Sequence, residues 1–316
     1  MRAVALAMGL AALCHAHAQP YPNKPVRVIA TSAPGAGPDI ISRLVGGKLS
    51  EAWKQQVVVD NRAGAGGNLG AEIAARAAPD GYTLLMLTAS QPIAVSLFPK
   101  LNYDLIKDFA PVGLLASTPY IVAMHPAVPA TNLKEFVAYA KSRPRELRYG
   151  SGGSGSPPHL ATEMFRVQAG IDLLHVPYKG ITPALTDLMA GQVHLVFSVV
   201  SAVMPHVKSG KLRALAATSA RRTALAPELP TMAETLPGYQ FSGWYGLMAP
   251  AGTPRVIIER IHGDASHAMR EADMRERLVT LGAEVQLMPP AEFGAFVRAE
   301  IQRLGKAVKD SGARPD

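Results

Sequence analysis

The sequence predicts an α/β fold of two lobes, each a mostly parallel sheet flanked by helices, with two crossover strands joining them. Three observations carry this expectation. Short β-branched runs alternate with helical segments along most of the chain, the pattern of parallel sheets. The 316 residues suit two domains of roughly 100–200 residues each. The alternating series restarts near Asp108 and hands over to helices at the end, so one lobe uses both chain ends and the other is inserted. The expected boundaries are 19–116 with 247–316 for the first lobe and 117–246 for the second.

The elements follow in order. Val26–Ala30 reads as a strand ending in the turn Pro34-Gly35-Ala36-Gly37-Pro38, with Asp39 as the expected N-cap of a helix Ile40 to Trp53. Gln56 to Asp60 is the next strand, and Gly64 to Asn68 opens a helix Leu69 to Ala78. Tyr82 to Thr88 is almost wholly apolar, as a strand buried on both faces should be. Val112 to Met124 and Gly243 to Met248 are the expected crossovers. Between them come helix Leu133–Lys141, strand Leu147–Tyr149, helix His159–Ala169, strand Leu173–Pro177, helix Pro183–Ala190, strand Val193–Ser198, helix Val203–Lys208 and strand Leu212–Ala217. Helices Arg255–Ala268, Ala272–Leu281 and Pro290–Lys309 finish the chain.

Composition removes whole classes. Apolar residues make up 48% and charged residues 18%, enough for sizeable cores and too little charge for a disordered chain. One cysteine, Cys14, excludes a disulfide scaffold, a cysteine zinc site and a CxxC redox centre. No repeat, heptad run or long apolar stretch follows the N-terminus.

The N-terminus itself reads as an export signal: Arg2, an apolar run from Ala3 to Leu13, and the A-x-A site Ala16-His17-Ala18. That run, at about 1.5 Å per residue, covers about half of a ~30 Å hydrocarbon core and does not span it. Cleavage after Ala18 removes Cys14, which suits an oxidising compartment. Losing Arg2 lowers the excess of basic over acidic residues from 8 to 7. The remaining bases are scattered and not interleaved with aromatics, so nucleic acid is not an expected partner.

Two glycine-rich loops follow strands and precede helices. In Pro34 to Asp39, free N–H groups at a helix start suit an anion, although a tight turn alone also needs glycine. Gly150, Gly152 and Gly155 fit G-x-G-x-x-G, with Asp172 near the place of a ribose-binding acid. An exported protein meets little nicotinamide cofactor, and the hydroxyls of Ser151, Ser154 and Ser156 suit a small carboxylate better. No cofactor is therefore expected. There is no G-x-S-x-G elbow, and His262 and His267 do not share a helix face, so neither a hydrolase nor a metal site has motif support. His159 either lines the pocket or serves as a cap or packing residue, and Tyr178-Lys179-Gly180 sits at a strand end facing the cleft or forms a surface turn.

Further segments carry a family resemblance: Pro34-Gly-Ala-Gly-Pro-Asp39, Val59-Asp-Asn-Arg62-Ala-Gly-Ala-Gly-Gly-Asn68, Asp80-Gly-Tyr-Thr83, Asp108-Phe-Ala-Pro-Val112, Tyr149-Gly-Ser-Gly-Gly153, His175-Val-Pro-Tyr-Lys-Gly180 and Trp244-Tyr-Gly-Leu with Ala249-Pro-Ala-Gly-Thr-Pro254. In this order they resemble the Bug, or TctC-like, periplasmic solute-binding proteins of tripartite tricarboxylate transporters across nearly the whole mature chain. The resemblance implies a Venus-flytrap fold closing on a small organic acid. It also implies ligand contacts from Gly35, Ala36, Gly37, Asp39 and Ser90 in the first lobe, and from Ser154, Gly155, Ser156, His159, Tyr178 and Ser198 in the second. Ala36 replaces a common family glycine, Ala63 a usual proline, and Lys54-Gln55 a glycine-containing turn.

The expected function is capture of a di- or tricarboxylate, an acidic amino acid or an aromatic or pyridine carboxylate, followed by delivery to a tripartite tricarboxylate-type permease. A ligand sensor feeding a sensor kinase shares the same fold and pocket. An exported enzyme using Asp39 or His159 is the competitor from another class. A monomer is expected, without metal.

Overall fold

The computed structural model describes residues 21–314. Residues 1–18, the expected export signal, and with them Cys14, lie outside the described residues. The first lobe opens with β1 (Val26–Ala30), α1 (Gly37–Trp53), β2 (Val57–Asn61), α2 (Asn68–Ala75), β3 (Thr83–Thr88) and α3 (Ser90–Leu97). The long β4 (Phe109–Met124) leads into the second lobe: α4 (Leu133–Lys141), β5 (Arg148–Ser151), α5 (Pro157–Ala169), β6 (Leu174–Pro177), α6 (Ile181–Met189), β7 (Leu195–Val199), α7 (Val200–Lys208) and β8 (Arg213–Ala217). Then β9 (Ser242–Pro250) returns, followed by α8 (Arg255–Arg270), α9 (Ala272–Thr280), β10 (Glu284–Met288) and α10 (Pro290–Ser311).

Each lobe holds a parallel trio, β2-β1-β3 in the first and β6-β5-β7 in the second. Antiparallel pairings with the crossover strands extend both trios into mixed sheets. The strand β4 belongs to both sheets. Its first part pairs with β9 and β10, and its end, Tyr120–Met124, lies between β7 and β8. Pro119, opposite Ser242, is the last β4 residue paired with β9. A proline has no N–H to give a ladder, so it suits the point where the strand leaves one sheet for the next.

Alternation explains the apolar β3. Leu84 and Met86 join a core with Ile41, Val45 and Leu49 of α1 and Ile261 of α8. Leu85 and Leu87 point to the opposite face and join Ile93, Phe293 and Val297. A strand buried on both faces has no polar side to show, as its sequence suggests.

Three local differences from the sequence expectation have physical causes. Helix α1 begins at Gly37, not Ile40, with Ala36 as its N-cap and Asp39 inside the first turn. Pro38 carries no N–H and a helical φ, so it fits a first turn and lets the helix start earlier. Helix α3 is absent from the sequence expectation; its Pro92 sits in the first turn, where proline is tolerated. Strand β10 is short and polar at alternate positions, and only its antiparallel pairing with β4 defines it. Among the described residues, no helix is long and apolar enough to cross a membrane.

Candidate functional site

The two glycine loops are built alike. In the second lobe, Ser156 caps α5 and its Oγ accepts the His159 N–H at 3.4 Å. Pro157 and Pro158 fill the first two helical positions and carry no N–H. His159, the third, turns its ring back so that Nδ1 accepts the Gly155 N–H at 3.0 Å. Gly155 has φ +75° and Gly153 φ +110°, conformations that favour glycine. In the first lobe, Asp39 is likewise the third residue of its helix, and its Oδ2 accepts the Gly35 N–H at 2.8 Å.

Asp39 is almost wholly buried and pairs with Arg43 at 2.9 Å. Burial pushes its pKa up, but hydrogen bonds from Arg43 and the Gly35 N–H outweigh this and hold it below the ordinary carboxylate value. Ala36 has φ −82° and ψ 162°, extended backbone open to any residue, so its methyl puts no strain on the backbone. Gly37 has no side chain for a different reason than ligand access: a Cβ there would collide with the Tyr245 hydroxyl.

Behind the second loop lies a stack of rings. His159 and His175 are 4.1 Å apart at 18°, and Tyr149 lies nearly parallel to both, 4.8 Å from His175 and 6.3 Å from His159. His175 Nε2 meets Ser151 Oγ at 2.6 Å, and that oxygen accepts the Gly153 N–H at 3.2 Å. The Tyr149 hydroxyl donates to Glu163 at 2.6 Å, and Arg166 takes the rest of that carboxylate. Burial, then the Glu163 charge, pushes the Tyr149 pKa far up.

Between the lobes is a cavity of about 520 Å³. The first lobe contributes Thr31, Gly64, Gly66 and Gly67, with Ser90, Ile93, Ala94 and Leu97 of α3 and the adjoining Phe98. The second contributes Gly152 to Pro157, Tyr178 and Lys179. The described wall therefore offers hydroxyls and glycine backbone, one exposed cation and no acidic side chain. Buried Gln91 fixes the start of α3: its Oε1 accepts the Thr88 N–H at 3.1 Å, which sets Ser90 on the cavity wall. Gly155 lies directly against Leu97, and a Cβ there would collide with it. The lobes thus meet at this point.

Of the residues named from the sequence, Ser90, Ser154, Gly155, Ser156 and Tyr178 line the cavity. The Tyr178 hydroxyl itself donates to Asp187 at 2.6 Å. Gly35, Ala36, Gly37, Asp39 and His159 lie in or behind the loops, outside the wall of the cavity. Ser198 is buried, and its hydroxyl has no partner among the described residues. Beyond Ser90, sequence reasoning missed the α3 face, with Ile93, Ala94 and Leu97. Asp172 lies 4.0 Å from Arg166, away from the cavity. A second cavity of about 530 Å³ sits beside the hinge, but its buried Glu300 is bound by Arg303 and Trp244.

Two α/β lobes that enclose a donor-lined cavity, linked by crossover strands, define a solute-binding protein. The chain belongs to the tripartite tricarboxylate transporter receptor family, whose model matches residues 41–313. This is a family of periplasmic binding proteins, not of enzymes. The chain is 36% identical to protein BugT of Bordetella pertussis over 94% of this chain and 92% of that one. Among solved structures it is similar to an R. palustris protein with adipate (34% identity, TM-score 0.84, 94% of this chain and 100% of that one). It is also similar to MatC from Rhodopseudomonas palustris with bound malate (34% identity, TM-score 0.79, 91% and 100%).

Proposed function

We propose that this receptor captures a small carboxylate between its lobes and delivers it to a membrane permease of the tripartite tricarboxylate type. The observation that carries the proposal is the chemistry of the cavity wall: hydroxyls and glycine backbone from both lobes, Lys179 as the single cation, and no acidic side chain in the described wall. Oriented neutral donors hold an anion, while Ile93, Leu97 and Phe98 take the carbon skeleton. The adipate and malate bound by relatives belong to the same ligand class. Ser90, Ser154, Gly155 and Ser156 touch the ligand beside the Tyr178 ring, and Asp39 and His159 hold the loops in place. The chain is exported by its N-terminal signal, cleaved after Ala18, and acts as a monomer. Its lobes, 19–116 with 247–316 and 117–246, rock about β4 and β9 and close on the ligand, making a surface that the permease recognises.

The test is thermal unfolding of refolded residues 19–316 against adipate, malate, citrate, glutamate and pyridine carboxylates. A ligand at 100 times its Kd adds about 2.7 kcal/mol. That raises the midpoint by about 5–10 °C for domains of this size. A shift from one carboxylate, recovered unchanged, supports capture. No shift from any carboxylate, or consumption of the compound, overturns it.

A further inference from the structure

The second-lobe loop is held by imidazoles at two points. His159 Nδ1 accepts the Gly155 N–H, and His175 holds Ser151 Oγ, which in turn accepts the Gly153 N–H. A ring nitrogen accepts an N–H only while it carries no proton. Protonated at Nδ1, His159 would point an N–H at the Gly155 N–H, and the contact would change from attractive to repulsive. The first-lobe loop is tied at the matching position by the Asp39 carboxylate, which stays ionised across the imidazole range.

The groups around His159 shape this response. Strand β5 brings Tyr149 and β6 brings His175, while α5 itself carries Glu163, bound by Tyr149 and Arg166. Neither α3 nor β7 carries a titratable side chain. Helix α10, which also packs on α5, keeps its buried Glu300 paired with Arg303. The α5 N-terminus disfavours a positive charge at its third residue. Two parallel rings 4.1 Å apart resist carrying two charges.

We infer that the stacked pair His159 and His175 is a proton-sensitive brace, so that protonation loosens Gly152–Ser156 and weakens ligand capture. This rests on the carboxylate capture proposed above. It makes His159 a positioning residue acting through Gly155, and it ties release of the ligand to acidity on the outer side of the membrane.

The experiment compares the wild-type protein with His159→Asn, whose Oδ1 takes the place of Nδ1 and accepts an N–H without titrating. In ligand-free protein, the Gly153 and Gly155 amide resonances are followed by NMR from pH 8 to pH 5. Malate affinity is measured by calorimetry over the same range. In the wild type, the Gly155 resonance is expected to titrate with an inflection in the imidazole range. Malate affinity then falls by up to tenfold per pH unit below it. In His159→Asn the resonance stays flat, and affinity changes only through protonation of malate itself, which is common to both proteins. His175→Asn keeps the Gly155 acceptor, removes the stacked ring and moves the inflection to higher pH, so the brace stays testable if His159→Asn does not fold. The inference is overturned by a wild-type Gly155 resonance that does not titrate, by the same profile in His159→Asn, or by an unmoved inflection in His175→Asn. If malate binds neither protein at pH 8 and no other carboxylate does, capture of carboxylates fails, and the ligand-free titration alone decides the brace.

Discussion

Asp39 and His159 occupy equivalent places in the two lobes: each is the third residue of its helix, and each accepts the N–H of the glycine four residues before it. In both cases a glycine with positive φ turns the chain, and a proline at the second helical position leads into the tie. The two lobes therefore present their loops through one shared local device, closed by a carboxylate on one side and an imidazole on the other.

Replacing Asp39 by Asn removes a charged acceptor from a nearly buried site. Losing charge-assisted bonds to Arg43 and Gly35 is expected to lower stability at pH 7 by about 1–3 kcal/mol. The folded-state pKa lies below the unfolded one. The stabilisation is therefore complete above the unfolded value near ~3.9 and disappears as pH falls through the folded value. Thermal unfolding of both proteins at pH 7 and pH 3 checks this: the gap in midpoint should narrow at the lower pH.

Gly155→Ala places a methyl against Leu97 at a position with φ +75°. The left-handed backbone alone costs about 1–2 kcal/mol. The collision also keeps the lobes apart, so affinity for the proposed carboxylate ligand should fall at least tenfold. Adding Leu97→Ala should restore part of the affinity without restoring the midpoint. A double-mutant cycle on affinity and stability separates the two effects.

The α3 face provides a test of ligand shape. Phe98→Ala strips apolar surface from the wall. Each buried methylene is worth about 0.8 kcal/mol. Under the capture proposed above, adipate, with its longer methylene chain, should therefore lose more affinity than malate when both are titrated calorimetrically into the variant.

Lys54 closes α1 with φ +54°, in the position where helices favour glycine. Lys54→Gly relieves about 1–2 kcal/mol of backbone strain, less about 0.4–1 kcal/mol for the freer unfolded chain. A rise of about 2 °C in the unfolding midpoint is expected, with ligand affinity unchanged.

Most of the sheet and both loops can be read from the sequence, because their signals are local: apolar alternation, glycine at turns, proline at helix starts. Residues that owe their role to distant partners are harder to find. Gly37 looks like an opening for a ligand until Tyr245 is seen packed over it. Ser90 is identifiable, but its neighbours Ile93 and Leu97 look like ordinary core until α3 is placed across from the second loop. The partnership of His159 with His175, sixteen positions along the chain, depends on α5 packing over β5 while β6 pairs beside it. No spacing in the sequence announces it.

The shared strand β4 also has a consequence for the order in which the molecule forms. Everything between β4 and β8 is contiguous and can assemble as the chain emerges. The first lobe has to wait, since β9 inserts between β3 and β4, β10 pairs with β4 and α10 packs on the same sheet. Contacts of such long sequence separation form late. Half of the receptor therefore stays unlocked until its last helix arrives.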